Sequence, residues 1–112
     1  MTPPALPPPI REDLSVFLLD AGNRMLWSGH FIGETDHVNL PVREIIRQAV
    51  MHDARWILMH HSHPSGDPHP SRGDILATRE LARALRPLDI RIIDHVISAG
   101  EASYSFRAHG LL

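Results

Sequence analysis

The sequence predicts one α/β or α+β domain, a β-sheet with two helices, on three observations. Short apolar runs bounded by turn residues recur along the chain, two stretches carry apolar residues at helical spacing, and 112 residues leave room for a single core. A barrel enzyme of about 250 residues is excluded by length.

Five of the ten prolines (Pro3, Pro4, Pro7, Pro8, Pro9) fall at the start, so residues 1–10 are expected to form a flexible leader and residues 11–112 the folded domain. Leu14 to Leu19 is too short for a typical helix and ends at the turn-rich Asp20-Ala21-Gly22-Asn23. Met25 to Ile32 then resumes an apolar run, which reads as a hairpin. A short extended stretch is expected around Val38. Pro41 suits a first helical position, and Val42, Ile45, Ile46 and Val50 continue at helical spacing to about His52. Trp56 to Met59 is a compact strand. Pro64, Gly66, Pro68 and Pro70 then exclude regular structure up to Ser71. Ser71 reads as an N-cap with Asp74 in the capping-box position of a helix reaching about Arg86, where Pro87 stops it. Ile90 to Ser98 is a buried strand, and Gly100-Glu101-Ala102-Ser103 turns it into a last strand at Tyr104 to Arg107.

Composition narrows the chemistry. Apolar residues make up 43% and charged residues 21%, as in ordinary globular proteins. The formal charge of −2 supplies no general attraction to nucleic acid or anionic membrane. All eleven bases are arginine, and cysteine is absent. Disulfides, thiolate catalysis and cysteine-based metal sites are thereby excluded, which leaves His, Asp and Glu as metal ligands. No apolar run approaches the ~20 residues of a membrane-spanning helix, and no signal-peptide pattern opens the chain, so a cytoplasmic protein without membrane association is expected.

The informative segment runs from His61 to Asp74. Two histidines separated by one residue at a strand end point to the same face, so both imidazoles can converge on one ion. His60 would face the other side. A third ligand is needed, and Asp74, in the first turn of the next helix, is placed to fold back toward the strand end. Two His and one carboxylate with an open position is the catalytic type of zinc site. Water in that position becomes a nucleophile near neutral pH, but amide cleavage also needs a carboxylate to carry its proton. Glu80 is turned roughly 240° from Asp74 on the helix. Glu12, Glu34 and Glu44 are the remaining candidates, and spacing does not choose among them.

The run His61-x-His63-Pro64 followed by Ser71-x-x-Asp74 resembles the JAMM (JAB/MPN-plus) metalloprotease signature. The fuller string His63-Pro64-Ser65-Gly66-Asp67-Pro68-x-Pro70-Ser71, with Asp74-Ile75-x-x-Thr78 and Asp94-His95, resembles its RadC-like branch over about residues 11 to 107. Gly29 and Arg43-Glu44 are also family-like. The resemblance implies a curved mixed sheet flanked by helices, of cytidine-deaminase-like JAB/MPN type, and one Zn2+ per chain on His61, His63 and Asp74. It further implies Glu12 as general acid/base and Ser71 as hydrogen-bond donor to the oxyanion. Asp94 and His95 read either as a pair orienting a ligand or as a strand-edge hydrogen-bonding pair. The implied activity is hydrolysis of peptide or isopeptide bonds, with a peptide or protein partner such as a ubiquitin-like conjugate. The branch usually has Asn where Ser62 stands.

Full-length RadC proteins carry an N-terminal helix-hairpin-helix region, and only the proline-rich leader precedes the domain here, so DNA association is not expected of it. Two other readings stay beside the hydrolase: a DNA-repair-associated factor, and a non-catalytic domain in which zinc ties loop to strand. Taken separately, Ser71 is an N-cap and Asp74 a first-turn carboxylate. The series Arg79, Arg83, Arg86 reads as a solvated face, with a surface for an acidic partner or phosphate as the alternative.

Overall fold

The computed structural model describes residues 11–33 and 40–112. The leader, Glu34, His37 and the stretch around Val38 lie outside the described residues. The elements are β1 (Asp13–Leu19), β2 (Met25–Ile32), α1 (Val42–Met51), β3 (Trp56–Ser62), α2 (Arg72–Leu85), a 3₁₀ turn (Arg86–Leu88), β4 (Arg91–Ala99) and β5 (Ala102–Ser105). The five strands form one mixed sheet in the order β2-β1-β3-β4-β5. Only β3 and β4 run parallel, joined by the crossover through α2; the other neighbours are antiparallel. This is an α+β architecture, one mixed sheet with two helices, as the sequence predicts.

The β1–β2 hairpin closes through Asp20, whose Oδ1 accepts the backbone N–H groups of Gly22 and Arg24, both at 2.9 Å. Leu14, Val16 and Leu18 of β1 and Ile57 and Met59 of β3 present one apolar face, every second residue, to Ile45 and Ala49 of α1 and Leu81 and Leu85 of α2. All of these are buried, so both helices are held by the same core.

Several boundaries differ from the sequence reading, among them β4, which is Arg91–Ala99, and the end of β5, at Ser105 instead of Arg107. Pro41 takes the N-cap position and Val42 opens α1. Strand β3 continues past Met59 to Ser62, because β1 and β4 pair with it along its full length. Helix α2 ends at Leu85, and Pro87 sits inside the 3₁₀ turn that follows, closed by Asp89 in the left-handed region. Strand β5 begins at Ala102, since Gly100, at φ 61°, and Glu101 suffice to turn the chain.

A bulge in β4 matters for the site. Ile57 pairs with Ile92 but Leu58 pairs with Asp94, so Ile93 is the extra residue. The bulge reverses the alternation of β4. His95 therefore falls opposite Met59 on the face that also carries His61.

Gly29 lies under the Trp27 ring: a Cβ there would meet Trp27 Cη2 at 2.2 Å. Trp27 covers the bare backbone of β2 and packs against the core. Gly29→Ala should displace the indole, cost about 1–3 kcal/mol in urea unfolding and shift tryptophan emission to the red. Unchanged stability and emission would show that the ring has other room.

Candidate metal centre

Register alone assembles most of the site. Strand β1 pairs with β3 as Leu14↔His61 and Asp13↔Ser62, so Glu12, one step before the strand, comes beside His63. Period-two alternation sets Glu12 and His61 on the face of Leu14. The His63 N–H continues the pairing by donating to the Ser98 carbonyl at 2.9 Å. Helix α2 brings the last acid. Ser71 Oγ accepts the Asp74 N–H at 3.0 Å and Asp74 Oδ2 accepts the Ser71 N–H at 2.9 Å, a full capping box.

The Glu12 carboxylate bridges the two imidazoles. Its Oε2 lies 3.2 Å from His61 Nε2 and its Oε1 lies 3.3 Å from His63 Nε2, while Asp74 Oδ2 is 3.6 Å from the same His63 nitrogen. Glu12 is 6% exposed, His61 2% and His63 9%, so this charge is held away from water. Among the described residues, Glu12, His61 and His63 form a group whose ligand atoms lie within 4.8 Å of one another and could hold a metal ion. Asp74 borders that group through His63 but is not within it.

The protons decide whether a cation fits. His63 Nδ1 is 2.9 Å from the carbonyl oxygen of Asp67, which can only accept, so Nδ1 carries a hydrogen. In the neutral ring Nε2 then bears a lone pair, aimed at two carboxylates and buried without a hydrogen-bond partner. A lone pair set against carboxylates is repulsive, and a proton or a metal ion at Nε2 relieves it. Burial also pushes the His61 pKa down, against the opposing pull of Asp74 and Glu12, and so favours the neutral, metal-binding form. Two imidazoles and two carboxylates are the donor types that a divalent ion takes, and the set suits zinc.

His95 backs this group. Its ring stacks on His61 (centroids 5.6 Å apart, planes 25°) and on Phe106 (4.3 Å, 14°), and its Nδ1 lies 2.9 Å from Thr78 Oγ1 on α2. Thr78 is one turn beyond Asp74. Asp94 turns the other way: it accepts the N–H groups of His95 and Arg107 and the Ser105 hydroxyl, tying β4 to the turn after β5. The pair is thus divided, with His95 at the cluster and Asp94 bonded to the turn after β5.

Of the three candidate glutamates, Glu12 is at the cluster and Glu44 is engaged by Gln48 and Arg47 on the surface of α1. Glu34 lies outside the described residues. Exposed His60 contacts Ser98 Oγ at 2.7 Å on the far side of β3, as alternation requires. The sequence reading gave no role to the Asp67 carbonyl or Phe106, and quoted Thr78 only within the string Asp74-Ile75-x-x-Thr78. Its signal was that string, which also sets it one helical turn from Asp74. The Asp67 side chain holds the loop by accepting from His69, which also lowers its pKa.

The RadC-like JAB domain family matches residues 5–111, and the chain belongs to it. UPF0758 protein YeeS of Escherichia coli (strain K12) is 38% identical over 104 residues, 91% of this chain and 70% of that protein. UPF0758 protein RALTA_A2508 of Cupriavidus taiwanensis is 44% identical over 94 residues, covering 82% of this chain and 41% of its own length. UPF0758 protein HEAR2468 of Herminiimonas arsenicoxydans is 37% identical over 102 residues, 90% of this chain and 46% of that protein. The chain spans about half the length of several curated relatives it matches. Among the described residues no helix is long and apolar enough to cross a membrane.

Burial lowers the His95 pKa from 6.5 to about 4, with His61 adding to the fall. The unfolded chain therefore binds more protons at this residue between pH 6.5 and 4, and the stabilisation present above pH 6.5 is lost as pH drops through that window. Its size is about 3 kcal/mol. In metal-free protein, urea unfolding should show wild type losing more stability than His95→Gln across this range. Equal losses would contradict the assignment.

Proposed function

We propose that this chain is a zinc-dependent hydrolase of peptide or isopeptide bonds. The observation that carries the reading is the buried His61–His63 pair facing Glu12 and Asp74, with the His63 tautomer set by the Asp67 carbonyl. One Zn2+ per chain would be held by His61, His63 and Asp74, and when bound would polarise water and the scissile carbonyl.

The remaining work falls to the chain's own groups. Glu12, across both imidazoles, takes a proton from the attacking water and delivers it to the leaving amine. Ser71 accepts the Asp74 N–H, which leaves its own hydroxyl proton free to be donated to a developing oxyanion. The same capping box fixes the Asp74 carboxylate. His95, packed on His61 and bonded to Thr78, acts as a positioning residue that keeps β3 and α2 in register. The substrate in this reading is a peptide or protein, ubiquitin-like conjugates included. A cytoplasmic setting goes with it, since a chain without cysteine loses nothing under reducing conditions.

Zinc-loaded protein should cleave members of a panel of peptide and isopeptide substrates and lose activity with a chelator. Glu12→Gln should lower turnover about 100-fold or more while zinc content is kept. No turnover by the zinc-loaded wild type across the panel would sink the reading. Ser71→Gly separates the two roles of the hydroxyl, because glycine retains most N-cap stability. Melting should change by only a few tenths of a kcal/mol, whereas turnover should fall about 100-fold. Unchanged turnover would leave Ser71 a cap alone.

A further inference from the structure

Helix α2 carries a second surface that the metal centre does not use. At 100° per residue, Arg72, Leu76, Arg79 and Arg83 of α2, with Arg86 at its C-cap in helical conformation, fall on one stripe about 80° wide and about 21 Å long. It lies opposite the side that carries Asp74, Thr78, Leu81 and Leu85. All five stripe residues are exposed, and Leu76 keeps 55% of its surface in water. Among the described residues, the arginine ion pairs are made by Arg47 and Arg55, and none of the four guanidinium groups of the stripe has an acidic partner. A chain of net charge −2 thus gathers four of its eleven cations on one helix face.

The stripe ends in a groove. Ala82 and the arginines at 79, 83 and 86 face Leu111 and Leu112 across a cavity of about 390 Å³. Unpaired guanidinium groups select carboxylates or phosphates, both of which fit their planar fork. The apolar members decide between them. Sequence-tolerant binding of single-stranded nucleic acid uses aromatic rings for base stacking, and the stripe has none. Its interleaved residue is leucine, and the groove adds Ala82, Leu111 and Leu112. An acidic peptide with an apolar side chain satisfies both features.

We propose that the outer face of α2 docks an acidic polypeptide segment bearing an apolar side chain, about six residues in extended form. Carboxylates pair with Arg72, Arg79, Arg83 and Arg86, and the apolar side chain covers Leu76 or enters the groove. The stripe begins one residue beyond Ser71, at the end of α2 that carries Asp74, so a bound chain runs toward the metal centre. Docking does not require that the centre be hydrolytic.

The test is fluorescence anisotropy of a labelled peptide of alternating Asp and Glu around one leucine, titrated with the whole chain at low salt. Saturable binding is expected, weakened by added salt and by replacing the peptide leucine with serine. Arg79→Glu combined with Arg83→Glu should weaken it about tenfold or more without lowering the melting temperature. If charge reversal destabilises the fold, Arg79→Gln with Arg83→Gln supplies the same comparison. Glu12→Gln should bind as wild type does, which separates docking from hydrolysis. Absence of binding, binding indifferent to the arginine substitutions, or tighter binding of oligothymidylate of matched length would each overturn the proposal.

Discussion

The hydrogen bond from His63 Nδ1 to the Asp67 carbonyl is the constraint on which the site depends. It commits the ring to one tautomer and turns the Nε2 lone pair toward Glu12 and Asp74. Lone pair and carboxylates repel at this range, and burial removes the water that would screen them. A proton or a metal ion relieves the conflict. Burial pushes His61 toward its neutral form, and the cluster offers the donor types that a divalent cation takes.

The fold supplies each part of this arrangement from a different element. The antiparallel register of β1 and β3 delivers Glu12 to the histidines, and the parallel β3–β4 pair requires a crossover, which α2 provides. The capping box of α2 orients Asp74 as it stabilises the helix start. The bulge at Ile93 moves His95 onto the face of His61, where it can reach Thr78 one turn from Asp74. Packing and site geometry are therefore the same contacts, and loosening α2 against the sheet would disturb Asp74 and His95 together.

Much of this was legible in the sequence, for physical reasons that differ between residues. The His61–His63 spacing signals a shared face because strand alternation is strict, and the separation of Ser71 and Asp74 signals a capping box because that reach is set by helix geometry. Periodicity was silent on the bulge, since Ile92 and Ile93 are both apolar and either can serve as the extra residue. That is why the sequence does not say which of Asp94 and His95 shares the face of His61. The Asp67 carbonyl was invisible because any residue has one. Strand ends at Ser62 and Ala102 were displaced because pairing partners, rather than local composition, decide where a strand stops. Glu12 is brought to the cluster by register, which spacing along the chain does not encode.

X-ray absorption at the zinc edge of the zinc-reconstituted protein tests the central claim most directly. One retained ion per chain with two imidazole nitrogens and light oxygen donors at short range is the predicted coordination, and the imidazole signal should fall by half in His63→Ala. Failure to retain an ion after buffer exchange, or a coordination shell free of imidazole scattering, would contradict the account.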